Sequence, residues 1–314
     1  RDEEMANTIN LITKYVPLLD EVYKKGLVTA DLEGNSALVR ESMQANAVLV
    51  PKITTQGLAD YDKSTGFVAG DANLTWETHT FSQDRGRGFS IDNADNMETA
   101  GVAFGALSSD FISTKVVPET DAYRFAQMYA SAGAEAYATL TKTTVEAAID
   151  TAIATLDDKN VPEEGRILYV SADVYALIKQ STNFSRDLVP GQSPNRNFGT
   201  YDNMKVVKVP STRFYSSITL QDGTTSGQEA GGYVKTVATA TVKGGEAINF
   251  MIVHPSAVLP ITKINTPRVF DPSINQDADA YKFQLRLYHD CFVFDNKVDG
   301  IYAHLAAEPA VDAG

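Results

Sequence analysis

Apolar and polar positions change period several times along the chain, and each change marks an element. The plainest case is near the C-terminus, in "YKFQLRLYHDCFVFDNKVDGIYAHL". Phe283, Leu285, Leu287, Cys291 and Val293 alternate there with Gln284, Arg286, Tyr288 and Asp290. Period two over this length predicts a long strand. Residues 295–297 then permit a turn into a last strand, "VDGIYAHL", and the tail 306–314 is expected to fray. Residues 118–142 carry a different period. Ala122, Phe125, Tyr129, Ala132 and Ala136 recur at spacings of three and four and predict one long helix, with Pro118, Glu119 and Asp121 suited to its first turn. A second helix is expected from Thr143, which has capping-box spacing to Glu146, and it stops before Pro162. A strand at 166–170, a helix capped by Ser171, the strands "YDNMKVVKVP" and "AINFMIVH", and a glycine- and threonine-rich loop between them follow. Interleaved strands and helices predict a compact α/β unit over 143–260.

The N-terminal third is patterned more weakly. Residues 6–48 read as an extended arm with one helical piece. In that piece Pro17 sits at the first helical position, Leu19, Val22 and Tyr23 share a face, and Gly26 lies just past the end. So much chain with so little local core needs something else to pack on. Residues 49–98 read as a long two-stranded excursion, whose runs are joined by the turn-rich "ADYDKSTGFVAGD". A hairpin of that length is marginal alone in water and implies a partner surface. Within it, "TWETHTFSQDRGRGFSID" alternates like a strand, yet holds Gly86 and Gly88 between arginines. Glycine weakens a strand interior and marks a bulge or a close backbone approach. When residues 75–92 are extended, Phe81, Arg85, Arg87, Phe89 and Ile91 share one face, and the other face is small and nearly bare. The bare side can lie flat on another surface, and the arginines can make bidentate bonds to carboxylates. An ordinary hairpin with solvent-facing arginines is the alternative.

Composition narrows the function classes. The chain has 314 residues, enough for one large or two ordinary domains, and its 43% hydrophobic and 21% charged residues are those of a folded protein. No stretch is long and apolar enough to span a bilayer, so no membrane partner is expected. A net charge of −13 argues against an electrostatic grip on nucleic acid. Cys291 stands alone, which points to a reducing compartment and to a small buried apolar role. Met5, followed by small and polar residues, resembles an initiation site, so "RDEE" before it is expected to be a cloning remnant or the end of a processed leader.

Motifs that carry chemistry are missing. There is no phosphate loop with its lysine; "GRG" lacks the third glycine and opens no helix. His79, His254, His289 and His304 lie far apart, with no second ligand at helical spacing. The acidic clusters Asp92, Asp95, Glu98 and Asp277, Asp279 lack the glycine and terminal glutamate of a calcium loop. No Gly-x-Ser-x-Gly elbow is present. No catalytic residue, cofactor or metal site is therefore expected.

The order of parts resembles the Hong Kong 97 phage-type major capsid protein of tailed double-stranded-DNA bacteriophages: an α+β fold of N-terminal arm, extended loop, spine helix, inserted α/β unit and returning strands. Three further segments look like tailed-phage capsid proteins. They are "VPKITTQGLADYDKSTGFVAGD" with "RGRGFSIDNADNMET", "VPEEGRILYVSADVYALIK", and "TPRVFDPSINQDADAYKF" with "YHDCFVFDNKVDGIYA". The resemblance implies an arm over 1–48, an extended loop over 49–98 that reaches across a neighbouring subunit, and a peripheral domain from 99–142 and 255–305 with a spine helix at 118–142. It implies an axial domain over 143–254 and a C-terminal tail over 306–314. A second copy of the chain would then approach the arginine strand. Phe81, Arg85, Gly86, Arg87, Gly88, Phe89, Asp92, Asp95 and Glu98 become candidates for intersubunit contact.

The implied role is a non-enzymatic shell protein that self-assembles as hexamers and pentamers into an icosahedral virion capsid, built in the bacterial host cytoplasm. Its partners would be other copies of itself and scaffolding, portal and decoration proteins. It would enclose double-stranded DNA without sequence-specific binding. A bacterial encapsulin-like nanocompartment shell keeps the fold and changes the contents. An α/β enzyme, supported only by the unit at 143–260, is the third reading.

Overall fold

In the computed structural model, the residues described are 22–23, 26–33, 40–41, 46–64, 66–92, 102–181, 199–275 and 277–312. Strand β1 (Arg40–Glu41) pairs with β2 (Ala47–Thr55), which pairs antiparallel with β3 (Ala72–Thr80). After a corner at Phe81 and Ser82, β4 (Gln83–Asp92) joins a different sheet. A continuous helix follows: α1 (Val102–Phe111), a π-helical segment (Ile112–Val116) and α2 (Val117–Ala130). Then come β5 (Ala134–Tyr137), α3 (Val145–Asp158), β6 (Ile167–Ser171) and α4 (Ala172–Gln180). The rest is mainly strand: β7 (Thr200–Tyr201), β8 (Met204–Val209), β9 (Ile218–Gln221), β10 (Gly232–Lys235), β11 (Ile248–Val253), β12 (Val258–Phe270), β13 (Ala280–Val293) and β14 (Ile301–Leu305).

Two bodies result. One is a six-stranded sheet in the order β5-β14-β11-β6-β8-β7. Both its faces are covered, which is why β6 and β14 are buried at every residue. Ile167 and Tyr169 face α2 through Phe125 and Met128. Leu168 and Val170 face α3 and α4 through Ile149, Leu156, Val174 and Ile178. The other body is the sheet β12-β13-β4, with thirteen- and fourteen-residue strands in antiparallel register. Its face packs Phe283, Leu285 and Leu287 on Ile112 and Val117 of the long helix. The base of the β2–β3 hairpin is held where Val48, Val50 and Phe81 meet Leu259 and Phe294.

Several expectations hold. The strand predicted by period two is β13, and Ser171 caps α4 by accepting a hydrogen bond from Val174 N. Cys291 is buried, and burial pushes its thiol up to about 12. The α3 cap is Thr144 rather than Thr143, and its side chain caps nothing there; its hydroxyl accepts from Thr141 N instead. The expected loop after β8 is the β9–β10 hairpin, whose four paired residues leave only 222–231 as its tip.

The spine helix does not run to residue 142. It ends at Ala130, and the chain turns through Gly133 into β5, parallel to β14. A Cβ at Gly133 would lie 2.5 Å from the Val298 carbonyl oxygen, which accepts from Gly133 N, so a distant segment packs against the turn and requires glycine there. The tail does not fray throughout either: Gly244 N donates to Ala310 O and Asp312 N donates to Thr239 O. Most of the helical piece anchored at Pro17 lies outside the described residues. Residues 26–33, expected to need another surface, lie on their own α2. There the buried Asp121 carboxylate accepts from Val28 N (3.1 Å), Thr29 N (3.2 Å) and Thr29 Oγ1 (2.8 Å), and meets Arg213 at 3.1 Å.

Candidate assembly surfaces

The corner between β3 and β4 decides which part of the excursion is free. Asp290 on β13 is buried and holds it: Ser82 N and Oγ donate to its Oδ2 at 2.7 and 2.9 Å, while Tyr123 OH and Cys291 N donate to Oδ1 at 2.7 and 2.8 Å. Burial, the largest cause, raises the Tyr123 phenol well above its ordinary range. Phe81, at the same corner, is buried against Tyr288 and Phe292. Beyond the corner, β4 pairs with β13 along its whole length, from Gln83 with His289 to Asp92 with Ala280.

The surface approaching the arginine strand is therefore the chain's own. A Cβ on Gly86 would lie 2.9 Å from the Leu285 carbonyl oxygen, so this glycine serves a close backbone approach within the molecule. Gly88 has no such demand; its Cβ would meet Gln284 Cγ at an ordinary 3.4 Å. Arg85 is engaged inside the chain too. Its Nε and Nη2 reach the Glu119 carboxylate at 2.7 and 3.2 Å, and Nη1 and Nη2 donate to the carbonyls of Gln221 (2.8 Å) and Gly232 (3.2 Å). Arg87 Nη2 donates to Glu229 O at 3.2 Å, and a Cβ on Gly223, where φ is +76°, would come within 2.8 Å of Nη1. Both arginines thus clasp the base and tip of the β9–β10 hairpin. That hairpin extends from the six-stranded body, so the clasp ties the two bodies together.

The remaining site expectations sort by place. Phe89 is half-buried and packs edge-on against Phe111 at 4.8 Å, and Asp92 is exposed at the end of β4. Asp95 and Glu98 lie outside the described residues. Asp277 is engaged by Lys282 at 2.7 Å, which lowers its carboxyl pKa. The histidines are spread among structural roles: His254 bonds to Ser256 and to Glu164 O, His304 stacks on Phe250, His79 contacts Phe292, and His289 is buried beside Tyr123. No cluster of metal-ligating side chains occurs among the described residues.

Among the described residues, it is the β2–β3 hairpin that leaves the body. Its base is tied by Lys52, which bridges Glu77 (2.7 Å) and Asp295 (3.0 Å). Its tip is bare: Leu58, Tyr61, Phe67 and Val68 are 108%, 59%, 90% and 66% exposed, and the Tyr61 and Phe67 rings lie 4.9 Å apart. A second feature lies near the clasp. A groove of about 760 Å³ runs between β4, the π-helical segment, the start of α2 and the β9–β10 hairpin. Sequence reasoning missed the roles of Asp290, Asp121 and Glu119, whose side-chain partners lie far along the chain.

No protein-family model and no curated protein matches the chain. Solved structures do. The mature capsid of bacteriophage PhiM1 is similar at 13% identity and TM-score 0.53, over 84% of this chain and 83% of that one. The capsid of cyanophage P-SCSP1u is similar at 13% identity and TM-score 0.53, over 86% of each. A virus-like particle from Pyrococcus furiosus is similar at 9% identity and TM-score 0.51, over 94% of this chain and 99% of that one. The α+β fold described above is therefore that of phage capsid proteins.

Proposed function

We propose that this chain is the major shell protein of a tailed phage, assembling as hexamers and pentamers into the icosahedral capsid that encloses double-stranded DNA. One observation carries the reading beyond fold likeness: the bare apolar tip of the β2–β3 hairpin. Fully burying a large apolar side chain is worth about 1.5–3 kcal/mol. A lone molecule forgoes most of that at Leu58, Phe67 and Val68; a molecule whose tip lies on a neighbour does not. A shell repeats one modest contact over many copies, so no single interface needs to be strong.

The domain reading follows with these changes. The arm is residues 1–46, the axial domain (143–254) also takes in β5 and β14, which pair into its six-stranded sheet, and the peripheral domain is the long helix with β4, β12 and β13. The reaching part of the extended loop is residues 47–80, since 83–92 belong to the peripheral sheet. The side chains that touch a neighbour are then those of the tip rather than Arg85, Gly86 and Gly88. The acidic surface suits a container for a polyanion because it limits adhesion. Scaffolding, portal and decoration proteins are the expected partners, the location is the virion after assembly in the host cytoplasm, and no catalytic step is assigned.

A cargo-holding compartment shell is the second reading, and the extensive match to a virus-like particle supports it. Electron microscopy and sedimentation of the purified protein test the shell: closed particles are expected, and a monomer at every concentration and salt would refute it. Nuclease-resistant DNA within native particles is expected for the virus and would be missing from a compartment.

A further inference from the structure

We infer that a buried hydration site, holding one or two ordered waters, lies where the arm, helix α2 and the bulged part of β12 meet. The inference goes beyond the shell reading and does not depend on it. Four buried polar atoms there pair with no protein atom among the described residues: Tyr23 OH, Arg124 Nε, Thr262 Oγ1 and His289 Nδ1. Tyr23, Arg124 and His289 are 4%, 0% and 2% exposed, so bulk solvent does not serve them. Buried polar groups are nearly always hydrogen-bonded, to protein or to ordered water, so four orphans in one place call for a common partner. A fifth, Tyr169 OH, belongs to β6 in the other body, where its ring packs on Phe125 at 5.2 Å.

Three elements bring the four atoms together. Thr262 on β12 lies opposite His289 on β13, so their side chains share a face. The register shifts between Thr262 and Ile264, directly beside this pair, and such a bulge opens the ladder locally. Thr120 and Arg124, one turn apart on α2, supply the helix side. Tyr23 comes from the arm. Burial raises its phenol pKa, and Arg124 and the neighbouring hydroxyls of Thr120 and Thr262 act in the opposite sense. Thr120 cannot donate to the phenol, since its Oγ1 donates to Val116 O at 2.9 Å. Arg124 Nη1 and Nη2 are taken by Thr29 Oγ1 (2.9 Å) and Glu33 (2.8 Å), which leaves Nε–H for the site.

Charge chooses the ligand. Arg124 is already offset by Glu33, and the buried Asp121 stands close to it. Desolvation by burial holds the His289 imidazole down to about 4, so it is neutral near pH 7. A halide would find no uncompensated cation here, and a metal ion would face Arg124. Water suits the set. It can accept from Arg124 Nε and one hydroxyl, and donate to the other hydroxyl and to His289 Nδ1. A buried water makes about three such bonds.

A crystal structure at a resolution that shows ordered solvent tests this. A solvent peak within about 2.7–3.2 Å of at least three of the four atoms is expected. In solution, water magnetic relaxation dispersion of the unassembled protein counts long-lived internal waters. Tyr23→Phe combined with Thr262→Val removes two partners with little change of shape and should lower that count by at least one. Thr262→Val alone carries the test if the pair does not fold, and occupancy of the peak should then fall about twofold or more. An unchanged count and occupancy, or a structure in which the four atoms bond directly to protein groups, would overturn the site. A bromide anomalous signal at the peak, in crystals grown with bromide in place of chloride, would overturn water as its ligand.

Discussion

Arg85→Leu separates an internal clasp from an intersubunit contact. The substitution leaves Glu119, whose side chain is only 16% exposed, without its partner, and strips a donor from the carbonyls of Gln221 and Gly232. Hydrogen bonds to charged groups contribute about 1.5–3 kcal/mol each in mutational series, and leaving a buried charge alone costs about 3–5 kcal/mol. Arg85 is itself 23% exposed, so solvent recovers part of that loss and about 2–3 kcal/mol is the reasonable expectation. The loss falls on the attachment of the β9–β10 hairpin rather than on the whole chain. The appropriate assay is hydrogen exchange on the unassembled protein, read at residues 218–235. Exchange there should quicken about 30-fold to 150-fold, while β6 and β11, in the doubly covered core, keep their protection. Glu119→Gln should cause a smaller change, and the double variant should fall short of the sum. Unchanged exchange in the hairpin, combined with loss of assembly, would show that Arg85 works between subunits and would refute the clasp.

Three further outcomes follow from the same geometry. Gly86→Ala should lower stability by about 1–3 kcal/mol in a thermal melt, because its Cβ meets a backbone carbonyl at 2.9 Å; Gly88→Ala, with ordinary contact, should change it by less than about 1 kcal/mol. His289 is buried, and desolvation, the largest cause, holds its imidazole down from 6.5 to about 4. Its unfolded form binds a proton first, so stability should fall as pH drops from 6.5 toward 4, by about 3 kcal/mol in all; a melting series on His289→Gln should show a flatter slope, and an equal slope would refute the assignment. Assembly should improve with added salt or divalent cations, since subunits of charge −13 repel; light-scattering yields that fall steadily with ionic strength would contradict this.

What the sequence disclosed, and what it withheld, follows the range of the forces involved. Strand β13 and helices α3 and α4 were legible because period and capping are local, and their apolar faces bury where the pattern says. The end of α2 was not legible. Ala132 and Ala136 continue its stripe, whereas the contacts made after the helix, Gly133 with the Val298 carbonyl and β5 with β14, lie far along the chain. The β9–β10 hairpin hid in a glycine- and threonine-rich run because its register is set by pairing and by the arginines from β4. Alternation placed Arg85, Arg87, Phe89 and Ile91 on one face of β4, while Phe81, expected with them, lies at the corner before that strand; Gly86 marks a close neighbour and Gly88 does not. Which molecule supplied that neighbour was beyond local pattern: β13 of the same chain and a strand of another copy make the same demand on Gly86.

That ambiguity bears on how the fold divides labour. One polypeptide run carries two strands with opposite fates, split at a single corner. After Ser82 the backbone bonds of β4 are taken up by β13, and its cations are taken up by Glu119 and the hairpin carbonyls. Before Phe81 the chain pairs with β2, the base of the hairpin rests on Leu259, Phe292 and Phe294, and its tip meets water. An exposed apolar tip on a two-stranded ribbon is a liability for a molecule that remains alone, inviting indiscriminate association. Asp290 makes it an asset by fixing the angle at which the ribbon leaves the body, through Ser82, Tyr123 and its own strand. A shell needs that angle to repeat from copy to copy, and a sheet corner held by a buried carboxylate is stiffer than a flexible loop. The charge on Asp290 is thus better understood as setting a direction than as adding stability, because a buried ion often contributes little net energy of its own.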